Sequence, residues 1–298
     1  MNGLNRIVLT LKEKLAVPLE AGERLQPSLL NGLSTAQISA MPVLYGRQDR
    51  QIGDFFEVER KGGATDDLTG ANFFEDASLQ DEDLAAGILE LYGDLSKVKG
   101  LGLQMQKGII IVNGDAGMHL GAFMSGGCII VRGSSASWTG AHLSGGSIFV
   151  LGNVEHFTGS AYWGCKAGMT GGIIVVHGSA GDMTARLMRR GLVIIRGNAG
   201  DFTGSEMIAG TVIVGKETGR RAGAQMKRGT LILSTPPQLL PTFRYNCLIK
   251  PTFMHILARA LDDRRIAADF LHNNYLFLRY SGDTAVCGKG EIFIRCKE

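Results

Sequence analysis

Hydrophobic positions recur along the middle of this chain at a fixed step. From Met105 to Leu233 one motif opens at Met105, Met124, Leu143, Met169, Met188, Met207 and Met226, with steps of 19, 19, 26, 19, 19 and 19 residues. One copy reads MKGGxIIVxGNAGDFTGAx, with positions numbered 1 to 19. Position 4 is Gly in all seven copies. Position 17 is Gly in five of the six complete copies, Ala185 being the exception, and position 10 is Gly in five of six, broken by Lys216. Glycine locked to a period marks corners, where positive φ or close backbone approach is needed. Between corners lie the β-branched runs IIIV, CIIV, SIFV, IIVV, LVII, TVIV and TLIL, too short for helices and suited to strands. Stacking one such strand per copy at about 4.8 Å predicts a mainly β chain, a single-stranded parallel β-helix of seven coils roughly 34 Å long.

Strand side chains alternate faces. Positions 6 and 8, from Ile110/Val112 to Leu231/Leu233, therefore fill the bore, and the Met/Leu column at position 1 reads as gap-filling core rather than a metal or redox stripe. Position 15 (His119, Trp138, Phe157, Met183, Phe202, Arg221) reads as another core wall, polar at its two ends. Position 7 points outward, yet it holds Ile111, Ile130, Phe149, Val175, Ile194, Ile213 and Ile232. A solvated face alternates to polar residues, and leaving these side chains bare forgoes about 10–20 kcal/mol, at roughly 1.5–3 kcal/mol each. The stripe requires a cover, either flanking segments of this chain or another subunit. As a contiguous apolar surface it is assigned as a partner interface.

The chain divides into an N-terminal flanking segment (1–84), the repeat domain (85–234) and a C-terminal helix-and-hairpin extension (235–298). RIVLTLKEK and DFFEVE are expected strands, and Ser34 opens a short helix, LSTAQISA, that Pro42 ends. Acidic residues from Asp66 to Asp83 read as a surface loop, and residues 88–104 as a degenerate first coil capping the bore. The prolines of STPPQLLPTF stop the ladder. PTFMHILARALDD then places Phe253, Ile256, Leu257, Ala260 and Leu261 on one helical stripe that could lie on the position-7 face. YLFLRYSGD and EIFIRC form a hairpin around Gly282 to Gly290. One copy exceeds the period by seven residues, 162–168, YWGCKAG. This insert raises Tyr162, Trp163, Cys165 and Lys166 either as a contact loop or as a lid on the neighbouring coil.

Composition adds few constraints. A net charge of +3 over 298 residues leaves no nucleic-acid footprint. Of the 42 glycines, 29 lie between Gly100 and Gly229, so the excess belongs to the repeats and not to disorder. No apolar run approaches a membrane span and the N-terminus lacks a signal-peptide layout, so a soluble cytoplasmic protein is expected. The five cysteines, 128, 165, 247, 287 and 296, contain no CxxC pair and argue against zinc and a disulfide framework; Cys128 reads as packing.

No catalytic or metal constellation stands out. The histidines at 119, 142, 156, 177, 255 and 272 are scattered, and GxSxG, P-loop and strand-linked GxGxxG motifs are absent. His156 and Asp182 share position 14 without converging residues from other columns. The strongest polar signal is cationic. Arg189/Arg190 and Lys227/Arg228 occupy positions 2 and 3 two coils apart, about 10 Å, with Arg186, Arg220 and Arg221 near the ends of adjoining copies. Two readings stay open: a solvated charged corner, or a contact for an acidic partner or polyanionic carrier through Arg186, Arg189, Arg190, Lys227 and Arg228.

The period and wording of GDAGMHLGAFMSGGCIIVRG, GGIIVVHGSAGDM and MRRGLVIIRGNAGDFTGSEMIAGTVIV resemble the C-subunit family of formylmethanofuran dehydrogenases, whose fold is similar to the glycine-repeat C-terminal domain of glutamate synthase. The seven-residue insert before a GMxGG opening and GDLSKVKGLG before the first full coil share that likeness. MRRGLVII, SEMIAGTVIV and MKRGTLIL with a following PTF look most like its bacterial branch, the C-subunit of the formyltransferase/hydrolase complex. The resemblance covers residues 85–255 well and the last 35 poorly. It implies one-carbon metabolism, in which one subunit passes a formyl group from formyl-tetrahydromethanopterin to methylofuran and a metal-dependent hydrolase releases formate. On this reading the chain is a non-catalytic assembly subunit, hetero-oligomeric with hydrolase (A), B and formyltransferase (D) type subunits, and binds no nucleic acid or membrane. It holds no cofactor of its own, and glutamate-rich methylofuran is the carrier within the complex. The alternatives are the C-subunit of a molybdenum or tungsten formylmethanofuran dehydrogenase, a glutamate synthase-type spacer domain and, from another class, a carbohydrate-active β-helix enzyme. Such enzymes line an outer sheet with carboxylates, whereas the most regular outer column here is aliphatic.

Overall fold

The computed structural model describes residues 4–20, 22–63, 81–264, 266 and 275–296. Its strands are β1 (Leu4–Leu11), β2 (Leu19–Glu20), β3 (Pro42–Tyr45), β4 (Gln48–Gln51), β5 (Phe56–Gly63), β6 (Ile88–Tyr92), β7 (Val98–Lys99), β8 (Ile109–Asn113), β9 (Cys128–Val131), β10 (Ser147–Val150), β11 (Ile173–Val176), β12 (Leu192–Ile195), β13 (Thr211–Val214), β14 (Thr230–Leu233), β15 (Arg244–Ile249), β16 (Phe277–Gly282) and β17 (Gly290–Arg295). The helices are α1 (Pro27–Leu30), α2 (Thr35–Ser39), α3 (Ile52–Phe55), α4 (Asp81–Ala86) and α5 (Thr252–Asp262). None is long and apolar enough to cross a membrane. The acidic stretch from Asp66 lies outside the described residues up to residue 80; its end is the helix α4.

Thirteen strands form one sheet, in the order β15-β16-β17-β14-β13-β12-β11-β10-β9-β8-β6-β1-β5. Each repeat supplies one strand, paired parallel to the next in an unslipped register such as Ile174↔Val193↔Val212. A second parallel ladder of single bridges runs from Leu95 through Ala116, Ser135, Val154, Ala180 and Ala199 to Thr218, one per coil. The degenerate first coil is present, since β6 pairs parallel with β8. The flanks extend the same sheet: β1 pairs parallel with β6 and carries β5 on its outer edge, while β17 pairs parallel with β14 and leads to β16 and β15. A four-stranded sheet, β4-β3-β2-β7, packs the N-terminal segment beside the first coil. Ser34 caps α2 through a capping box with Gln37, as the sequence implied.

The bore is apolar throughout, with positions 6, 8 and 1 of the coils buried. Every position-4 glycine has positive φ, between 77° and 101°. A Cβ on Gly191 would also lie 2.6 Å from Met169 Cε, so the glycine and methionine columns fit one another. Position 15 departs from expectation. Its six residues all take left-handed backbone, φ from 57° to 69°, which removes the strand alternation and turns their side chains away from the bore. Trp138 is buried in a separate outer cluster with Ala122 and Ala141, flanked by Phe157 and Tyr162.

The position-7 stripe is outward-facing and covered, and the cover is this chain. Ile111, Ile130, Phe149, Val175, Ile194, Ile213 and Ile232 are each at most 2% exposed, clustered with Met254, Ala258 and Leu261 of α5, with Ile266, Phe277 and Phe293, and with Leu84 of α4. Their assignment as a partner interface is therefore corrected: the apolar demand is met within the molecule. The helix also sits differently from the stripe read in the sequence. Met254, Ala258 and Leu261 are its buried residues, Leu257 is half-buried, Phe253 meets Phe293 edge-on at 5.3 Å, and Ile256 and Ala260 face solvent. Residues 254, 257, 258 and 261 form an equally regular stripe.

Candidate functional site

The sequence-selected cations divide into two kinds. Arg186 donates through Nε to Glu206 Oε1 at 2.7 Å, and its guanidinium lies 4.7 Å from the centre of the Trp163 ring. It clasps the insert and is not a free cation. Arg189, Arg190, Lys227 and Arg228 are exposed, and among the described residues no carboxylate comes within ion-pair distance of them. Arg189 and Lys227 are placed by backbone N–H bonds to Met169 and Met207 of the preceding coils, 2.8 and 2.7 Å. Arg220 pairs with Asp201 at 3.3 Å and Arg221 stacks 5.2 Å from the Phe202 ring, so neither joins that edge.

The insert is both a lid and a projection. Tyr162 folds down over the coils. Its hydroxyl shares a 2.7 Å hydrogen bond with His119 Nδ1, and its backbone N–H donates to His142 Nε2 at 3.0 Å. Its ring lies 4.8 to 5.7 Å from those of Trp138, His142, His119 and Phe123. Under it, Trp138 stacks on Phe157 at 4.2 Å and Phe123 on His142 at 4.8 Å. Burial holds both imidazoles below the usual histidine range, with Lys99 adding to the effect at His119, and pushes the Tyr162 phenol up to about 12. The neutral cluster that results is a packing device at neutral pH. Trp163, by contrast, points out, 62% exposed, with its ring edge-on to Phe157 at 5.6 Å. Cys165 and Lys166 are exposed beside it. Gly168 N–H donates to Leu187 O at 2.8 Å, so the insert lies against the segment that leads into Arg189 and Arg190.

His119, Phe123 and His142 are the members of this cluster that sequence reading did not assemble. The available signal was position 19, which carries Phe123 and His142 in the two coils just below the insert and should have been read beside position 15.

Two polar columns hydrogen-bond along the stack. At position 14, Asp182 N–H donates to His156 Nδ1, Asp201 N–H to Asp182 Oδ1 and Arg220 N–H to Asp201 Oδ1, at 2.8–3.0 Å. Asn153 and Asn198 do the same at position 11 for Ser179 and Glu217. These side chains tie coil to coil. Among the described residues no group of three or more His, Cys, Asp or Glu is placed to hold a metal ion. A cavity of about 810 Å³ borders the glycine corners between Asp83 of α4 and Arg264. Asp83 is raised above the usual carboxylate range by burial while accepting from Gly108 N–H at 3.1 Å.

No protein-family model matches the chain. The C-subunit of molybdenum-containing formylmethanofuran dehydrogenase 1 from Methanothermobacter marburgensis is 36% identical over 114 residues, 38% of this chain and 23% of that protein. The C-subunit of tungsten-containing formylmethanofuran dehydrogenase 2 from the same organism is 36% identical over 120 residues, 40% of this chain and 37% of that protein. These matches span less than two fifths of the relatives' length. One polypeptide of the formyltransferase/hydrolase complex (FhcABCD) from Methylorubrum extorquens, solved in complex with methylofuran, superposes with a TM-score of 0.84 at 31% identity, covering 97% of this chain and 100% of that one. The chain belongs to the C-subunit family of formylmethanofuran dehydrogenases. The superposition runs over almost the whole chain of this C-subunit family member, flanking segments as well as repeats.

Proposed function

We propose that this C-subunit family member is a non-catalytic assembly subunit of a formyltransferase/hydrolase-type complex, acting in the cytoplasm. Its coils serve as a rigid, single-stranded parallel β-helix on which hydrolase (A), B and formyltransferase (D) type subunits are held. The reaction of such a complex moves a formyl group from formyl-tetrahydromethanopterin to methylofuran and releases formate, and the chemistry resides in the other subunits. The whole-length likeness to one polypeptide of a four-subunit complex carries this reading. The exposed Arg189, Arg190, Lys227 and Arg228 edge is its anion-docking element, facing an acidic subunit surface or the glutamate-rich carrier.

Purification of the tagged chain from its native cells at low salt tests the reading. Co-elution in fixed ratio with formyltransferase and hydrolase subunits is expected, and a chain that elutes alone overturns it. The curated relatives support a second reading, assembly into a molybdenum- or tungsten-containing dehydrogenase. Metal analysis of the same preparation separates the two: stoichiometric molybdenum or tungsten selects the dehydrogenase.

A further inference from the structure

The insert corner combines an exposed aromatic ring with exposed cations. Trp163 is the most exposed large aromatic side chain among the described residues, and it is not loose: Phe157 meets its edge, Arg186 lies over its face, and Glu206 fixes Arg186. An aromatic ring held in place while bare to water has already lost most of the freedom that binding would remove. Trp and Arg are also the residues most often found at the energetic centres of protein interfaces. Beside this knob stand the exposed cations Lys166, Arg189 and Arg190, none with an ion-pair partner among the described residues, and the 2.8 Å bond from Gly168 to Leu187 places the insert beside the two arginines.

From this geometry we infer that the Trp163 corner is a docking knob for another protein subunit, whose matching surface is an apolar socket rimmed by Asp and Glu. The inference rests on the assembly reading and assigns it a contact surface in place of the covered position-7 stripe. Charge complementarity selects an acidic partner over a basic one. The indole selects a protein surface over a small anionic tail, because a tail would engage the cations and leave the Trp163 face in water.

The test uses the full chain in its native complex, isolated through a tag on this polypeptide. Trp163→Ala and, separately, Lys166→Glu with Arg189→Glu are compared with the parent for partner retention across a sodium chloride series. Thermal unfolding of each isolated variant checks that the coils are intact, as expected for exposed positions. At least tenfold weaker partner retention is expected for Trp163→Ala, and dissociation at clearly lower salt for the charge reversal. A photo-crosslinking residue at 163 should join to an acidic segment of a co-purifying protein. Unchanged retention and salt dependence in both variants overturn the inference while leaving the assembly reading standing. Crosslinks to a second copy of this chain, or polyglutamate shielding Lys166 and Arg189 from acetylation while variant complexes stay whole, overturn it too. A parent chain that purifies alone removes both.

Discussion

Ala185 stands where the other complete coils carry glycine at position 17, and the bore beside it differs from the bore beside the rest. A Cβ at Gly121 would lie 2.6 Å from Ile148 Cδ1, and one at Gly140 2.5 Å from Ile174 Cδ1, each reaching the position-6 residue two coils on. By the same step Ala185 faces Val193 and Val212, which have no δ carbon. Gly159 shows the transition, with Ile174 Cδ1 and Val193 Cγ2 both at a comfortable 3.4 Å. Gly159→Ala should therefore cost only the left-handed backbone, about 1–2 kcal/mol. Gly140→Ala should add overpacking of about 1–3 kcal/mol, part of which Ile174→Val recovers. Urea midpoints of the three variants check this ordering. Histidine titration supplies a second residue-scale expectation. In the unfolded chain His119 and His142 titrate near about 6.5, whereas burial keeps them neutral to lower pH in the fold. Between those values the unfolded state binds more protons, so stability present above about pH 6.5 falls as the medium is acidified through the folded-state values. His142 Nε2 is occupied by the Tyr162 N–H, so protonation there opposes the lid directly. His119→Gln with His142→Gln should flatten the fall in melting temperature between about pH 7.5 and 5. A residual slope remains from His177, held at about 4 by burial and Arg196.

At the scale of elements, the helix α5 tests how closely its face is matched to the sheet. Leu261→Ala removes a buried side chain from the cover and should cost about 2–5 kcal/mol, whereas Ile256→Ala, 69% exposed, should stay within about 0.5 kcal/mol. Equal losses in denaturant unfolding would show that the helix lies in the register of the Phe253/Ile256/Ala260 stripe instead. The contrast also shows why some elements were legible in sequence. The coil strands were readable because each is repeated, so Ile110, Ile129 and Ile148 vote together on one face. The helix occurs once, and its apolar arc from Phe253 to Leu261 is broad enough to contain two stripes; the sheet it meets decides between them. Position 15 was misread for a local reason, since φ near +60° at Trp138 and Phe157 breaks the alternation that strands obey. Strand β15, RYNCLI, lacks a clean alternation and is made a strand by pairing with β16 rather than by its own pattern. The exposed basic edge was legible as charge, but Arg186 could be separated from it only by seeing Glu206 and Trp163 beside it.

At the scale of the whole molecule, the ends of the stack set its solubility. An uncapped coil would present an open strand edge and an unfilled bore. Here the chain leaves β14, crosses the outer face as α5, and returns as β17 to pair parallel with β14, Thr230 opposite Glu291 and Leu233 opposite Ile294. A Cβ on Gly290 would lie 2.6 Å from Met226 Cγ, so the returning strand closes directly on the last methionine of the bore column. One excursion thus supplies both the end cap and the cover over Ile194, Ile213 and Ile232. A chain ending at residue 234 should keep every repeat yet lose both. With burial contributing about 1.5–3 kcal/mol for each aliphatic side chain, uncovering even those three forfeits about 5–9 kcal/mol, comparable to the whole stability of many domains. The truncated protein should therefore be recovered aggregated, or bind an apolar dye strongly if kept in solution. Adding residues 235–298 as a separate polypeptide should restore solubility in part. A truncated chain that stays monomeric, melts cooperatively and leaves the dye unbound would mean that the coils support themselves, and that the C-terminal extension is retained for contacts outside this molecule.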